Sequence, residues 1–477
     1  MNIWSRVGRV ERWLVRRVQQ ADRGLLAVVG FAMVLRIAFV LWASRGAPSA
    51  AVQGDQLQYW LIGHQVADGH GYTSPYTGRA TAYYPMGWPV LIGASVRVFR
   101  WIGLGHFGVT AVVLLQLVFG VLAVWATFHL ARAVAGRRVA LLAAGIVAAF
   151  PSLIFGAANF SVESAFIAAY LCALVVVVRH DWTTAPSTKR LVAIGLAVGL
   201  ASQIRPFSMP MLLGVGFAAL IGGLGWRVAL TSFGVTLACA LVVFIPWTIR
   251  NAVSMHAFVP ASTNLGDTMC MSRYPGSDGR FRWATHEFCG DSTLPEVQRN
   301  TANMKAALHF IRTHPLEEVR QWGRRFERMM ATDHRSLDDV VEAWGQAESS
   351  RTRLPTLAWT ADVYYWILLA LSVPGMGLTV RRFRRVPAFA VVAVAFVTLA
   401  VIPIGLWGAI RFHQPFLPLL AIAAAVVVDA LWRRPTGRGA ASSPLQQAAE
   451  AHDQPAARVA RTEPAVERAE QMADARD

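Results

Sequence analysis

Apolar runs long enough to span a bilayer recur along almost the whole chain, and no other feature limits its fold as strongly. They fall at 24–44, 108–131, 139–155, 162–178, 190–204, 206–223, 227–247, 357–379, 387–406 and 412–431. Of the 477 residues, 55% are hydrophobic and only 15% charged, against about 25% charged in a soluble domain. The expected fold is an all-α polytopic membrane protein. It should hold about ten transmembrane helices (roughly nine to thirteen), with interfacial juxtamembrane helices and a mainly helical extracytoplasmic segment. The first run is too long for a signal-peptide core and reads as an uncleaved anchor. The weakest run is 190–204, short for a hydrocarbon core of roughly 30 Å, so it needs its polar flank or a tilted neighbour to complete a crossing.

The basic residues orient these runs. Arg6, Arg9, Arg12, Arg16, Arg17 and Arg23 mark residues 1–23 as a cytoplasmic N-terminus. With ten crossings, the clusters Arg132/Arg137/Arg138, Arg179/Lys189/Arg190, Arg227, Arg381/Arg382/Arg384/Arg385 and Arg433/Arg434/Arg438 all fall on the same side. Residues 84–104 decide that count, because a crossing there would put two of the clusters outside. Their two prolines, Trp88, Trp101, Arg97 and Arg100 suit a helix lying in the interface. The chain then divides into a transmembrane module at 24–247 with an outer loop at 45–107, an extracytoplasmic helical segment at 248–356, C-terminal spans at 357–431, and a disordered cytoplasmic tail at 432–477 rich in Ala, Arg, Glu, Gln and Pro. Two amphipathic stretches in 248–356, at 294–313 and 315–331, are expected to lay their apolar faces on the membrane or on the loops. No internal repeat is visible.

The net charge of +17 does not point to nucleic acid, since the basic residues sit in short clusters between apolar runs, as in cytoplasmic loops. Lys189 and Lys305 are the only lysines. So Arg-rich a chain suggests a high-GC bacterial genome, and hence a multi-pass protein of the bacterial plasma membrane. Cys172 and Cys239 lie in apolar runs as small hydrophobes. Cys270 and Cys289 share the large polar segment, where an oxidising location would allow a disulfide.

Ionisable groups at the edge of a membrane core are costly and therefore suspect as functional. Asp55 follows the first span by about ten residues, at an expected outer membrane face, where it is a solvated loop acid, a helix N-cap or a general base. Glu163, at the outer end of another span, is either a helix-terminal acid favoured by the dipole or a partner in a site. Arg205, Arg250 and Arg411 reach the same face from three separate regions, with His413 beside the last. Each arginine alone suits an interfacial anchor. Together with two carboxylates they suit an anionic lipid headgroup, because a guanidinium binds phosphate oxygens in bidentate fashion. The implied reaction is sugar transfer from a lipid phosphate. The arginines stabilise the leaving phosphate while Asp55 takes the proton of an acceptor hydroxyl, a single displacement with inversion.

Several motifs resemble the C-type polytopic glycosyltransferases that use polyprenyl-phosphate sugars, a group that includes the protein O-mannosyltransferases and the lipid A aminoarabinose transferases. Asp55 with Tyr59 and Gly71-Tyr72 resembles their first outer loop and its catalytic Asp. Tyr84-Pro85-Met86-Gly87-Trp88-Pro89 resembles their Pro-rich juxtamembrane motif, and Phe150-Pro151 with Ser161-Val162-Glu163 the second outer loop and its acid. Pro246-Trp247-Thr248-Ile249-Arg250-Asn251 with Val259-Pro260 resembles the exit of a middle span, and Arg411 to Pro415 the final outer loop. The resemblance implies catalytic Asp55 and Glu163, and a substrate-binding set of Tyr59, Tyr84, Arg205, Arg250, Arg411 and His413. It implies a polyprenyl-phosphate sugar donor, a protein, glycan or lipid acceptor, and surrounding membrane lipids. Two departures stand out. Gln56 follows Asp55 where a second acid is frequent, and Tyr84 stands where some members place Lys or Arg, which shifts phosphate binding to the arginines. The motifs name no certain cofactor. A divalent cation shared by Asp55 and Glu163 stays open, although no tight ligand spacing supports it. The competing class is a transporter or flippase of lipid-linked sugars, against which stand the missing repeat and the gathering of polar groups at one face.

Overall fold

Asp22 opens the first helix. Its carboxylate accepts from the N–H groups of Gly24 (3.0 Å) and Leu25 (3.3 Å), capping α1 (Arg23–Ala43), and it pairs with Arg137 at 2.6 Å. The computed structural model describes residues 22–45, 54–282, 288–289, 293–344 and 353–433. The arginines from Arg6 to Arg17 and the tail from residue 434 onward lie outside the described residues. After α1 come α2 (Gly54–Asp68), α3 (Gly87–Trp101), α4 (Gly108–Ala135), α5 (Arg137–Ala148), α6 (Pro151–Phe155), α7 (Glu163–Val178), α8 (Thr188–Ile204) and α9 (Met211–Ile221). These are followed by α10 (Gly225–Val242), α11 (Ile245–Met255), α12 (Leu265–Cys270), α13 (Glu296–Thr313), α14 (Pro315–Met330), α15 (Arg335–Trp344), α16 (Leu354–Phe383), α17 (Pro387–Leu406) and α18 (Leu417–Trp432). Among the described residues there is no strand, only an isolated bridge between Thr73 and Ala80.

Each of the ten apolar runs coincides with a helix or a broken pair of helices. Among the described residues, length and composition certify fewer crossings: six helices qualify, or seven if the bent pair Arg137–Ala148 and Pro151–Ala158 counts as one, while Glu163–Val178 and Pro206–Ile221 are apolar but shorter. The pair bends by 62° because Pro151 starts a new helix rather than continuing the old one. The broken end has a partner. Arg36, buried in α1, donates to Ala32 O (3.1 Å) and to Ala148 O at the end of α5 (3.2 Å), where a cation meets the negative end of a helix. Gly120 of α4 makes room for it, since a Cβ there would lie 2.6 Å from Arg36 Nε.

Residues 84–104, expected to lie in the interface, hold the helix α3 (Gly87–Trp101). At 15 residues α3 is shorter than the helices that qualify as crossings, and Trp101 at its end is 86% exposed. The helix packs tightly on α2: a Cβ at Gly93 would meet Gly63 O at 2.7 Å. Small residues at this crossing let the two backbones touch and fix the helix that begins with Gly54 and Asp55. Deeper in the bundle α4 packs against α5 and α7, α8 against α10, and α9 against α17.

Segment 248–356 is mainly helical, and its two amphipathic stretches appear as α13 and α14. Cys270 and Cys289 are joined by a disulfide. Closing a loop of 19 residues' separation restricts the unfolded chain by about 3 kcal/mol. Reduction should therefore lower the thermal midpoint of the purified protein and open the 271–288 segment to protease. An unchanged midpoint and an unchanged digestion pattern would show that the bridge does not stabilise this region.

Candidate active site

The site begins where α2 begins. Asp55 sits in the first turn of α2, a position favourable for an acid, but its carboxylate reaches away from the helix. Oδ1 accepts from the Tyr84 hydroxyl at 2.6 Å, and Oδ2 pairs with Arg411 Nη1 at 2.7 Å. Arg411 is held in the turn Ile410–Phe412 ahead of α18, its guanidinium over Trp407 (5.4 Å) and Phe412 (5.7 Å). Burial opposes the charge on Asp55, but Arg411 and the Tyr84 hydroxyl outweigh it and hold the carboxyl below the usual carboxylate range. Burial pushes the Tyr84 phenol well above its ordinary value, so it stays a proton donor to Asp55. The Tyr59 ring packs 4.7 Å from that of Tyr84.

A second ion pair stands beside the first. Arg205 follows α8 in an extended conformation, as a residue before proline must, and its Nη2 donates to Glu163 Oε1 at 2.6 Å. Its guanidinium lies between Phe166 (5.6 Å) and Phe412 (5.9 Å). Three buried atoms of these pairs have no hydrogen-bond partner among the described residues: Glu163 Oε2, Arg205 Nη1 and Arg411 Nε. Buried polar atoms of this kind are costly unless something binds them.

A cavity of about 1070 Å³ opens onto Asp55, Tyr59, Tyr84, Arg205 and Arg411. Glu163 stands behind Arg205, outside the lining. Arg250 and His413, both expected among the substrate ligands, lie elsewhere. Arg250 is spent on backbone: it donates to Thr81 O at 2.7 Å and to Tyr72 O, and covers Trp247 at 5.0 Å. It braces the loop from Tyr72 to Thr81. His413 is fully buried, stacked on Tyr365 at 4.6 Å, and its Nε2 shares a 2.7 Å hydrogen bond with Asp333 Oδ1. Neither side chain reaches the cavity, because each already satisfies a neighbouring backbone or carboxylate.

Segment 248–356 contributes side chains that sequence reasoning missed. Arg280, Arg328, Arg335 and Asp339 all line the cavity. Asp339 Oδ1 pairs with Arg335 Nη2 at 2.8 Å, one helical turn apart on α15, and Oδ2 accepts from Ser161 Oγ at 3.3 Å. Burial pushes Asp339 up to about 7, with Arg335 beside it pulling the other way. Gln56, which replaces the second acid, has a structural job. Its Nε2 donates to Asp339 O (3.2 Å) and its Oε1 accepts from Phe160 N (3.0 Å), tying α2, α15 and the Glu163 turn together. Among the described residues no three His, Cys, Asp or Glu side chains are grouped so as to hold a metal ion, and both Asp55 and Glu163 are engaged by guanidinium groups.

These features define a polytopic helical membrane protein whose cavity sets ionised carboxylates against arginines. The sequence of residues 85–249 matches the family model described as dolichyl-phosphate-mannose-protein mannosyltransferase, a stretch that takes in the Phe150-Pro151 and Ser161-Val162-Glu163 motifs. Among solved structures, the chain is similar to the Archaeoglobus fulgidus oligosaccharyltransferase tethered with an acceptor peptide (16% identity, TM-score 0.49, covering 86% of this chain and 49% of that one). It is also similar to ArnT from Cupriavidus metallidurans bound to undecaprenyl phosphate (16% identity, TM-score 0.40, covering 84% of this chain and 77% of that one). The chain spans about half the length of the archaeal oligosaccharyltransferases it matches. No curated protein matches it in sequence.

Proposed function

We propose that this protein is a membrane glycosyltransferase that moves a sugar from a polyprenyl-phosphate donor to an acceptor hydroxyl at the outer face of the membrane, with inversion. The observation that carries the reading is the Asp55–Arg411 pair at 2.7 Å inside the cavity, next to an Arg205 whose Nη1 has no hydrogen-bond partner among the described residues. Arg205 and Arg411 would take the donor phosphate, using N–H groups that have no partner among the described residues. A phosphate on Arg411 competes with Asp55 for its charge. Donor binding therefore weakens the pair and raises the basicity of a carboxylate that is otherwise held too acidic to be an effective base.

The transfer balances in one step. The acceptor O–H proton goes to Asp55, the acceptor oxygen forms its bond to the anomeric carbon, and the bond from that carbon to the phosphate oxygen breaks. The lipid phosphate leaves with the electron pair, its charge met by the guanidinium groups. Glu163 serves this chemistry through Arg205, holding that guanidinium at the cavity wall. The segment 85–249, which carries the family match, supplies Glu163 and Arg205. The test is a comparison of envelope glycans, glycolipids and glycoproteins by mass spectrometry with and without the gene. One sugar should be missing from one class of acceptor in its absence. Identical profiles, together with no release of sugar from polyprenyl-phosphate donors by the purified protein, would refute the reading.

A further inference from the structure

Helix α14 is laid out in a way that a helix surrounded by water is not. Its buried row is polar, with Glu318, Gln321 and Arg325 followed by Met329. Its large apolar residues face outward: Leu316 is 76% exposed, Val319 57%, Trp322 48% and Phe326 46%. Their spacing of three and four puts them on one face. Arg320, Arg324 and Glu327, also exposed, share a third face by the same spacing. The helix thus has a polar row turned inward, an apolar face and a charged face. Burying one such apolar side chain is worth about 1.5–3 kcal/mol, so a contiguous face of four calls for a cover.

The bonds on the inward row show what that cover is. Arg325 donates to Ile404 O at 3.2 Å, Arg273 to Gly405 O at 2.6 Å, and Ser272 to Leu406 O at 2.7 Å, while Glu318 accepts from both arginines at 2.8 Å. Those carbonyls close α17, a helix of 20 residues that is long and apolar enough to cross a membrane. Its last carbonyls have no partner within the helix, and the end of a crossing helix lies where hydrocarbon gives way to headgroups. The polar row of α14 is therefore fastened at that boundary. A helix held there with one apolar and one charged face matches an interfacial helix.

We propose that α14 is seated in the lipid surface, with Leu316, Val319, Trp322 and Phe326 entering the boundary between acyl chains and headgroups, and Arg320, Arg324 and Glu327 staying in water. The seat has a structural consequence for the turn that carries Arg411. Gly408 N donates to Gly279 O at 2.9 Å, and a Cβ on Gly408 would lie 2.8 Å from Arg325 Cα, so this turn rests directly on α14. The lipid surface thereby sets the depth at which Arg411 meets Asp55. The inference stands on packing alone and survives if the transfer chemistry proposed above fails.

The test uses the full chain in phospholipid nanodiscs, with Cys172 and Cys239 replaced by Ala and a nitroxide attached at Val319→Cys or, separately, Arg320→Cys. Both positions are exposed, so neither label disturbs the core. The label at 319 should relax strongly with oxygen and be shielded from a water-soluble nickel chelate, and the label at 320 should show the reverse order. Nickel access at both positions would overturn the proposal. So would dipolar broadening at 319 that vanishes on dilution with unlabelled protein, because a second copy of the chain would then be covering the face.

Discussion

Asp55→Asn should lower sugar transfer by about 10²- to 10⁴-fold, the usual contribution of a positioned general base, without weakening the hold on polyprenyl phosphate. Asn keeps the shape and can still accept from the Tyr84 hydroxyl, which lies 2.6 Å from Asp55 Oδ1. What it loses is the charge. Arg411, paired with Asp55 at 2.7 Å in the wild-type protein, is then free for the donor phosphate, so the lipid phosphate should bind the variant as tightly as wild type or more tightly. The two readouts are initial transfer rates and equilibrium binding of polyprenyl phosphate, measured on the same preparation. A fall in rate with binding retained is the signature of a base. A variant that transfers sugar at the wild-type rate would remove Asp55 from the chemistry, and a variant that still moves lipid-linked sugar across a membrane would favour a transporter. The pH profile provides a second check. Because Arg411 and Tyr84 hold the Asp55 carboxyl below the usual range, Asp55 stays ionised in the free protein as pH falls through the ordinary carboxylate range. The acid limb of kcat/KM should therefore lie below that range in wild type, and conversion of Arg411 to a neutral residue should move it upward.

Much of this site could be read from the chain, for a physical reason. Asp55, Glu163, Arg205 and Arg411 stand at the ends of apolar runs, where a charge is expensive and so conspicuous, and the structure brings these four together in two ion pairs. Arg250 stands at the same kind of position and does something else. Whether a guanidinium leaving a span turns to a cavity or to the carbonyls of Tyr72 and Thr81 depends on a loop fold that no local pattern encodes. His413 differs in the same way, being absorbed by Asp333 from a distant segment. Asp339 and Arg335 were hidden for the opposite reason. In the sequence Arg335, Asp338, Asp339 and Glu342 look like a solvated helix face, and only tertiary packing turns Asp339 inward, onto Ser161. The spacing of four between Arg335 and Asp339 was the available signal, but such pairs are common on exposed helices. The helices themselves were legible from hydropathy. The number that cross was not, since α7 and α8 are short and their spans depend on neighbours.

Glu318→Gln should be the most destabilising conservative change in segment 248–356. Glu318 Oε1 accepts from Arg273 and Arg325 at 2.8 Å and from Trp322 Nε1 at 2.9 Å, while Oε2 accepts from Arg325 at 3.2 Å. The Arg273 and Arg325 side chains are 1% and 0% exposed. Gln preserves size and one acceptor but removes the only charge paired with either guanidinium in these contacts, leaving two buried cations side by side. Removing one member of a buried pair costs about 3–5 kcal/mol, to be read as a fall in apparent melting temperature and in the yield of monodisperse protein. Glu327→Gln, on the exposed side of the same helix, should stay within about 0.5 kcal/mol of wild type. Burial opposes the charge on Glu318, but Arg325 and Arg273 outweigh it and hold its carboxyl below the usual range. The sign of the pH effect follows. This stabilisation is present above the ordinary carboxylate pKa and is lost as pH falls through the depressed one, so acid should narrow the gap between wild type and Glu318→Gln. Replacing all three charged residues with apolar ones would not restore stability, as it sometimes does for a buried ion pair. Arg273 and Arg325 also cap the carbonyls of Ile404, Gly405 and Leu406; without them Leu406 O would keep only Ser272, and the Ile404 and Gly405 acceptors would lose these donors at the end of α17. A Glu318→Gln protein as stable as Glu327→Gln would show that the two arginines are held by those carbonyls alone.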